Sequence, residues 1–486
     1  MQHVPFRRRV VPGALLGALA LSFCCAPGAA AAPVRSGIEA DYNGDGYLDL
    51  AVGAPNAKVG SREHAGAVVV LYGSASGVSG GRRTVVHQDS PGVPGTAERN
   101  DRFGRSLASA DLDGDGYSDL VVGSPSETVG SVPYRGSVTV LWGGRQGIAG
   151  GASLPLPSDL DEESVMGTGV AAGDFNGDGR NDVTATGRTQ TRTYFGAFTR
   201  TGASARQQTE NLGSTTNVVA GDLSGDGVAE RLYPRFTTDD PAGVISYVRW
   251  TGGSTYTTTE LTGADGETAA VGDVNGDGYG DLVVGDALDP GGDRTRGHKG
   301  GQLTVWYGGP TGPAPAQRPT VVHQDTPGVP GSGESADGFG VSVAVGDIDK
   351  DGYADVAVGA PYEDLNGSAE AGAVTVLYGS KGGLTTARAR MITQDTAGVP
   401  GSPERYDYFG HALTLRDLTG DGRSDLVIGA PEENSYGMVT VLRGAASALS
   451  TSGVVSITGT AAGLSGASQE WFGMVLPDAA RSRPAT

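Results

Sequence analysis

Residues 111–125 read DLDGDGYSDLVVGSP. The first nine place side-chain oxygens at positions 1, 3, 5 and 9 and a glycine at position 6, then run straight into a Val-rich stretch. A tight loop turns alternate residues inward. The side chains of Asp111, Asp113 and Asp115, the backbone carbonyl of Tyr117 and the terminal carboxylate of Asp119 therefore make an oxygen-rich pocket. Ca2+ takes six to eight oxygens at about 2.3–2.6 Å, which is this kind of set. Gly116 permits the positive φ that the reversal needs. An EF-hand would carry a Glu at position 12 with helices on both sides. Here a strand follows.

Six further copies run along the chain. The first offers Asp41, Asn43, Asp45, Tyr47 and Asp49, and the third Asp174, Asn176, Asp178, Arg180 and Asp182. The fourth offers Asp222, Ser224, Asp226, Val228 and Glu230, and the fifth Asp273, Asn275, Asp277, Tyr279 and Asp281. The sixth has Asp347, Asp349, Asp351, Tyr353 and Asp355, and the seventh Asp417, Thr419, Asp421, Arg423 and Asp425. In each set the position-7 residue contributes its carbonyl. Start-to-start spacings of 70, 63, 48, 51, 74 and 70 residues suit one small sheet per repeat. A single loop of this kind reads equally well as a turn rich in Asp, Asn and Gly. Seven in register, with 23 carboxylates at ligand positions, read as up to seven Ca2+ sites, the copy starting at Asp222 being the weakest.

A strand grammar surrounds each loop. Phe103-Gly104, Phe339-Gly340 and Phe409-Gly410 stand eight residues upstream of Asp111, Asp347 and Asp417. Downstream come Gly-Ala-Pro or a variant, then runs such as 67–73 AVVVLYG and 373–379 AVTVLYG, and in several repeats a fourth apolar run such as 320–325 TVVHQD. Four short strands with tight turns at this period predict propeller blades. The order Phe-Gly, acidic loop, Gly-Ala-Pro resembles the FG-GAP repeats of integrin α-subunit β-propellers and their bacterial relatives. The resemblance implies an all-β, seven-bladed β-propeller with calcium loops on one face and ligand contacts on the other. Repeats three and four depart from it, with Met166-Gly167 and Leu212-Gly213 in place of Phe-Gly and no Gly-Ala-Pro.

The expected domains are a signal peptide over 1–31, the propeller over 32–478 and a tail over 479–486. The blades fall near 38–95 with 465–478, then 103–160, 166–212, 213–262, 263–331, 339–401 and 409–460. The first loop lacks a strand before it, and Trp471-Phe472-Gly473 with 474–477 MVLP supplies one at the other end. The C-terminal strand is therefore expected to close the ring as the innermost strand of blade one, leaving no open edge.

Composition agrees. With 82 Gly and 26 Pro in 486 residues there is no room for long helices. A net charge of −20 excludes nucleic acid as a partner, since phosphate would be repelled. Arg7, Arg8 and Arg9 precede an apolar run and then small residues, the order of a Sec-type signal peptide cut near Ala31. A twin-arginine signal fits poorly because Val10 and Val11 follow, and Phe23 before Cys24 argues against lipoprotein processing. Losing three arginines leaves 32 basic against 55 acidic residues, or −23, and removes both cysteines. Bound cations would relieve that self-repulsion and replace disulfides as the staple. No stretch past the leader is apolar and long enough to span a bilayer.

Enzymatic readings fare worse. Gly77-Val78-Ser79-Gly80-Gly81 fits a nucleophile motif but sits in a Gly/Ser turn. His87 and His323 occupy equivalent repeat positions where the sixth blade has Thr393, which suits a strand-end packing role. His64, His298 and His411 share no zinc-type spacing. Trp142, Trp250, Trp306 and Trp471 read as core or blade-edge residues, and Asn366-Gly367-Ser368 as an ordinary turn. The expected function is a secreted, extracellular, monomeric, calcium-binding module of adhesion type for an extracellular protein or glycan, without catalysis. The alternatives are a carbohydrate-active enzyme of polysaccharide-lyase type, a lectin, or a scaffold in a secreted or envelope-associated assembly. Binding loops are expected opposite the metal loops, at 56–66, 126–136, 286–300 and 362–372, with 97–102, 334–338 and 404–408.

Overall fold

Short Val- and Leu-rich runs broken by Gly and Pro leave the chain little choice but strands of about five residues. The computed structural model describes residues 1–2 and 40–477, apart from 157–159, 161, 189, 211, 213–214, 216, 236–242, 292–295 and 468. The expected signal peptide, Met1 and Gln2 excepted, and the tail over 479–486 lie outside the described residues. The propeller lies within the unit Arg35–Thr486.

Seven antiparallel sheets follow one another along the chain. Blade one has β1 (Leu50–Ala54), β2 (Ala67–Leu71) and β3 (Arg83–Val86). Blade two has β4 (Ser106–Ala110), β5 (Asp119–Ser124), β6 (Ser137–Leu141) and β7 (Gly151–Ser153), and blade three β8 (Gly169–Gly173), β9 (Asp182–Thr186), β10 (Thr191–Phe195) and β11 (Arg206–Glu210). Blade four has β12 (Val219–Gly221), β13 (Glu230–Arg235), β14 (Val244–Gly252) and β15 (Thr255–Leu261), and blade five β16 (Thr268–Gly272), β17 (Asp281–Asp286), β18 (Gln302–Trp306) and β19 (Thr320–Val322). Blade six has β20 (Ser342–Gly346), β21 (Asp355–Ala360), β22 (Ala373–Tyr378) and β23 (Thr385–Ile392), and blade seven β24 (Ala412–Arg416), β25 (Asp425–Ala430), β26 (Met438–Arg443) and β27 (Ser450–Thr458). Among the described residues the only helical piece is the 3-10 turn Glu433–Ser435. This is an all-β seven-bladed propeller.

Sequence decides which strands sit inside. The Val-rich β1, β2, β5, β17, β21 and β25 are buried at every residue, because neighbouring blades cover both of their faces. The Thr- and Arg-rich β15 and β23 form outer edges and alternate toward solvent. The four largest hydrophobic clusters each span a junction between blades, so most of the apolar surface is buried between blades rather than within one.

The Phe-Gly and Gly-Ala-Pro grammar acquires a physical reason at the blade junctions. A Cβ on Gly123, Gly285 or Gly359 would fall 2.0–2.2 Å from the carbonyl oxygen of Gly167, Gly340 or Gly410 in the next blade. Only glycine lets those two backbones touch. The next blade's glycines lie at φ +88, +103 and +93, which favours glycine on that side too. Gly429 meets the carbonyl of Gly473 in the same way, at 2.0 Å. Val475 then lies opposite Gly53 as an antiparallel bridge, its carbonyl accepting the Gly53 N–H at 2.8 Å. Residues 472–476 thus fill the inner place of blade one and close the ring.

Blades three and four meet without this grammar, and a buried ion pair joins them instead. Arg231 of β13 is 1% exposed, pairs with Glu210 of β11, and donates to Thr193 Oγ1 at 2.7 Å. Its guanidinium also lies 4.9 Å from the centre of the Tyr256 ring.

Candidate metal centre

Each acidic loop links two paired strands. Ala110 pairs with Asp119, Gly272 with Asp281 and Gly346 with Asp355, so positions just before 1 and at 9 are cross-strand neighbours. In blade one the Asp49 N–H reaches the Ala40 carbonyl at 2.8 Å and holds the same closure.

The loops are wired internally in one pattern. In all seven, a position-1 carboxylate accepts the N–H of the position-6 glycine at 2.6–3.0 Å. The position-5 Oδ1 accepts the N–H of position 7 at 2.9–3.1 Å, which places Tyr47, Tyr117, Arg180, Val228, Tyr279, Tyr353 and Arg423 alike. Asn43, Asp113, Asn176 and Asn275 accept from position 5 in turn. The position-6 glycines lie at φ +79 to +90.

Position 9 does more than end the loop. Asp49, Asp119, Asp182, Asp281, Asp355 and Asp425 are buried, and both oxygens of each accept backbone N–H groups. One bond returns to position 2 and the other crosses to the third strand, all within 2.8–3.1 Å. Glu230 accepts from Leu223 N–H at 2.7 Å. The position-9 carboxylate therefore fixes the loop to its blade.

Three loops gather carboxylates closely enough to share an ion. Asp111, Asp113 and Asp115 bring one oxygen each within 4.8 Å of the others, as do Asp347, Asp349 and Asp351, and Asp222, Asp226 and Glu230. The Asp222 loop belongs to this group because Glu230, one methylene longer than Asp, reaches the cluster. In the remaining loops Asn43, Asn176, Asn275 and Thr419 supply neutral oxygens at position 3. The donor set is all oxygen, which suits a hard cation such as Ca2+. Asp349 Oδ1 is buried without a hydrogen-bond partner, a costly state for a carboxylate oxygen that a bound cation would relieve.

Arginines from the same face hold some outer oxygens. Arg200 reaches from blade three to Asp113 and Asp115 of blade two at 2.7 and 2.6 Å, Arg388 meets Asp349 at 2.7 Å, and Arg82 meets Asp45 at 3.1 Å. No motif announced these clamps. Arg200 lies 87 residues from Asp113, and only the ring brings them together.

Burial dominates the electrostatics of position 9. It pushes the carboxyls of Asp49, Asp182 and Asp355 up to about 7 and that of Asp119 to about 8, against the lowering effect of the backbone N–H bonds. Asp281 and Asp425 rise to about 6 for the same reason. Folded-state values above the unfolded ones mean that these groups favour folding below about pH 4 and lose that contribution as pH rises through 6–8. Metal-stripped protein should therefore melt at a higher temperature at pH 6 than at pH 8. A melting temperature that climbs with pH in metal-free buffer would overturn this. Calcium should flatten or reverse the trend, since protons then compete with the ion.

Comparison with known proteins recognises five of the seven repeats. The FG-GAP repeat profile matches residues 40–71, 103–141, 266–306, 339–377 and 409–442. Blades three and four fall outside the matched ranges, in keeping with their departures from both motifs. Mouse phosphatidylinositol-glycan-specific phospholipase D is 35% identical over 144 residues, 30% of this chain and 17% of that protein. Integrin alpha-3 of Cricetulus griseus is 32% identical over 167 residues, 34% of this chain and 14% of its own length. Integrin alpha pat-2 of Caenorhabditis elegans is 32% identical over 202 residues, 40% of this chain and 14% of its own. The chain thus matches 14–17% of the length of these relatives. Among the described residues no helix is long and apolar enough to cross a membrane.

Proposed function

We infer from the chain's being an FG-GAP repeat β-propeller, homologous over its repeats to integrin α-subunits, that it is a secreted, calcium-loaded binding module. The acidic loops hold Ca2+ through side-chain oxygens at positions 1, 3 and 5, the carbonyl at position 7 and the carboxylate at position 9. Export by the signal peptide over residues 1–31 belongs to the same reading. The ligand is an extracellular protein or glycan, held on the face opposite the acidic loops.

One observation carries the choice of face. Every second strand starts at an acidic loop and ends at the opposite rim, so the Gly-Ala-Pro loops and the inter-blade connections share that rim. At the junction of blades six and seven it presents Tyr362, Tyr406 and Tyr408, with ring centres 5.7 Å apart for Tyr362 and Tyr408 and 6.1 Å for Tyr406 and Tyr408. Arg405 lies 4.3 Å over the Tyr406 ring, and Tyr406 is 39% exposed. Tyr406 and Tyr408 hold φ of +72 and +55, a conformation that costs a bulky residue about 1–2 kcal/mol. Asn100 and Arg102, and Gln469 and Trp471, are left-handed at the same two repeat positions, so the turn belongs to the repeat. The tyrosines set on it beside an arginine suit a contact surface.

Immobilised extracellular-matrix proteins and a glycan array, probed with calcium-loaded protein, should yield a ligand. Tyr406→Ala with Tyr408→Ala should weaken its binding at least tenfold without lowering the melting temperature. Ligand binding untouched by that pair would move the site elsewhere. The non-catalytic part of the reading has its own assay. Neither release of unsaturated ends from polysaccharides nor cleavage of a glycosylphosphatidylinositol anchor should occur, and either product would make the chain an enzyme.

A further inference from the structure

Blade five brings together three metal-binding side chains, two from the recurring His-Gln-Asp run after its last strand and one, His298, that no repeat motif predicts. His298, in the loop between β17 and β18, meets His323 and Asp325, which follow β19, on the rim away from the acidic loops. One donor atom from each lies within 4.8 Å of the other two. We propose that His298, His323 and Asp325 form a separate site for Zn2+ or a similar borderline transition metal.

Each donor is available. His298 Nδ1 lies 2.9 Å from the Lys299 carbonyl, which can only accept, so in the neutral ring Nδ1 carries the proton and Nε2 can offer its lone pair to a metal. That Nε2 stands 3.4 Å from Asp325 Oδ2. Asp325 Oδ1 accepts the Gly333 N–H at 3.0 Å, which turns Oδ2 toward the histidine. His323 is pinned by its N–H to Thr326 Oγ1 at 2.9 Å, and its Nδ1 is buried without a hydrogen-bond partner. Zn–N and Zn–O bonds of about 2.0–2.2 Å set tetrahedral donors about 3.3–3.5 Å apart, the spacing seen between His298 and Asp325. Two imidazoles and a carboxylate are the mixed donors such ions prefer, and they leave a fourth position open. The two rings stack 3.5 Å apart and 6° from parallel, so one must turn to bring a shared ion into both ring planes. His298, on the outer loop, is the one placed to do so.

The other blades show what this position does without a metal. Asp89 of blade one pairs with Arg62 at 2.8 Å, and Asp395 of blade six accepts from Asn366 at 2.6 Å. Each clasps the loop between the second and third strands to the blade's end. Blade five alone of the three puts an imidazole there and faces it with a second one.

That comparison supplies the test. His298→Arg and His298→Asn offer Asp325 the partner types found in blades one and six while removing the nitrogen ligand. Full-length protein saturated with Ca2+ should bind one equivalent of Zn2+ by calorimetry, and Zn2+ should raise its melting temperature. Both variants, and His323→Thr, should bind Zn2+ at least tenfold more weakly, with unchanged melting in Ca2+ alone. No Zn2+ binding by the parent protein, or equal binding by the variants, would overturn the proposal. Equal binding would place the zinc in the acidic loops.

Discussion

Stripping divalent cations is expected to lower the melting temperature by about 9 °C if three acidic loops are filled and by about 20 °C if all seven are. Any ion that binds only the folded state stabilises it by about 2.7 kcal/mol per site at a hundredfold excess over Kd. A chain of this size gains roughly 0.9 kcal/mol of unfolding entropy per degree, so each filled site is worth about 3 °C. Asp111, Asp113 and Asp115 bring one oxygen each within 4.8 Å of the others, as do Asp347, Asp349 and Asp351, and Asp222, Asp226 and Glu230, and without an ion that repulsion opposes folding. Arg200, Arg388 and Arg249 neutralise only part of it, and Asp349 Oδ1 has no hydrogen-bond partner. Thermal melts in excess chelator and in millimolar Ca2+, followed by circular dichroism at pH 7.5, measure the difference. Coincident curves would remove calcium from the account of stability and leave the loops as hydrogen-bonded turns.

The parts of the fold legible in the sequence are those that repeat locally. An acidic nonapeptide, a Phe-Gly and a Gly-Ala-Pro each fix the backbone within a few residues, so their recurrence predicted strands, turns and the number of blades. Even the closing strand was legible, because Phe472-Gly473 carries the motif that blade one lacks. The motif itself exists for contact between blades, as the approach of Gly429 to Gly473 shows. What stayed hidden depends on which blades are neighbours. Arg231 pairs with Glu210 across the third junction, and Arg200 crosses to Asp113, with no spacing rule that links either pair. His298 shares no zinc-type spacing with His64 or His411, and its partner His323 read as a packing residue. Only the return of the chain along β18 and β19 puts the two rings together. Position 9 was legible as an oxygen donor but not as the anchor that takes two backbone N–H groups, since Gly73 lies 24 residues from Asp49.

Deleting residues from Gln469 onward is expected to leave the protein without a cooperative native melt. Phe472, Met474, Val475 and Leu476 are each at most 5% exposed. Phe472 and Leu476 pack with Leu50, Val52, Val427 and Val439 between blades seven and one. Met474 and Val475 pack with Val68, Phe103 and Val122 between blades one and two. Burial of four such side chains contributes about 6–12 kcal/mol, which matches the whole net stability of an ordinary domain. The loss goes further than contacts. Without Val475 the N–H of Gly53 has no strand partner, and the edge of β1 faces the axis unpaired. Gly429 loses the backbone that its missing side chain makes room for, so blades seven and one no longer interlock. A tail that merely covered the surface would cost almost nothing to remove. Phe472→Ala gives a graded version, with an expected loss of about 3–5 kcal/mol and an intact ring. If the truncated protein melts within about 2 °C of the full chain, a change worth less than ~2 kcal/mol here, another segment must close the ring.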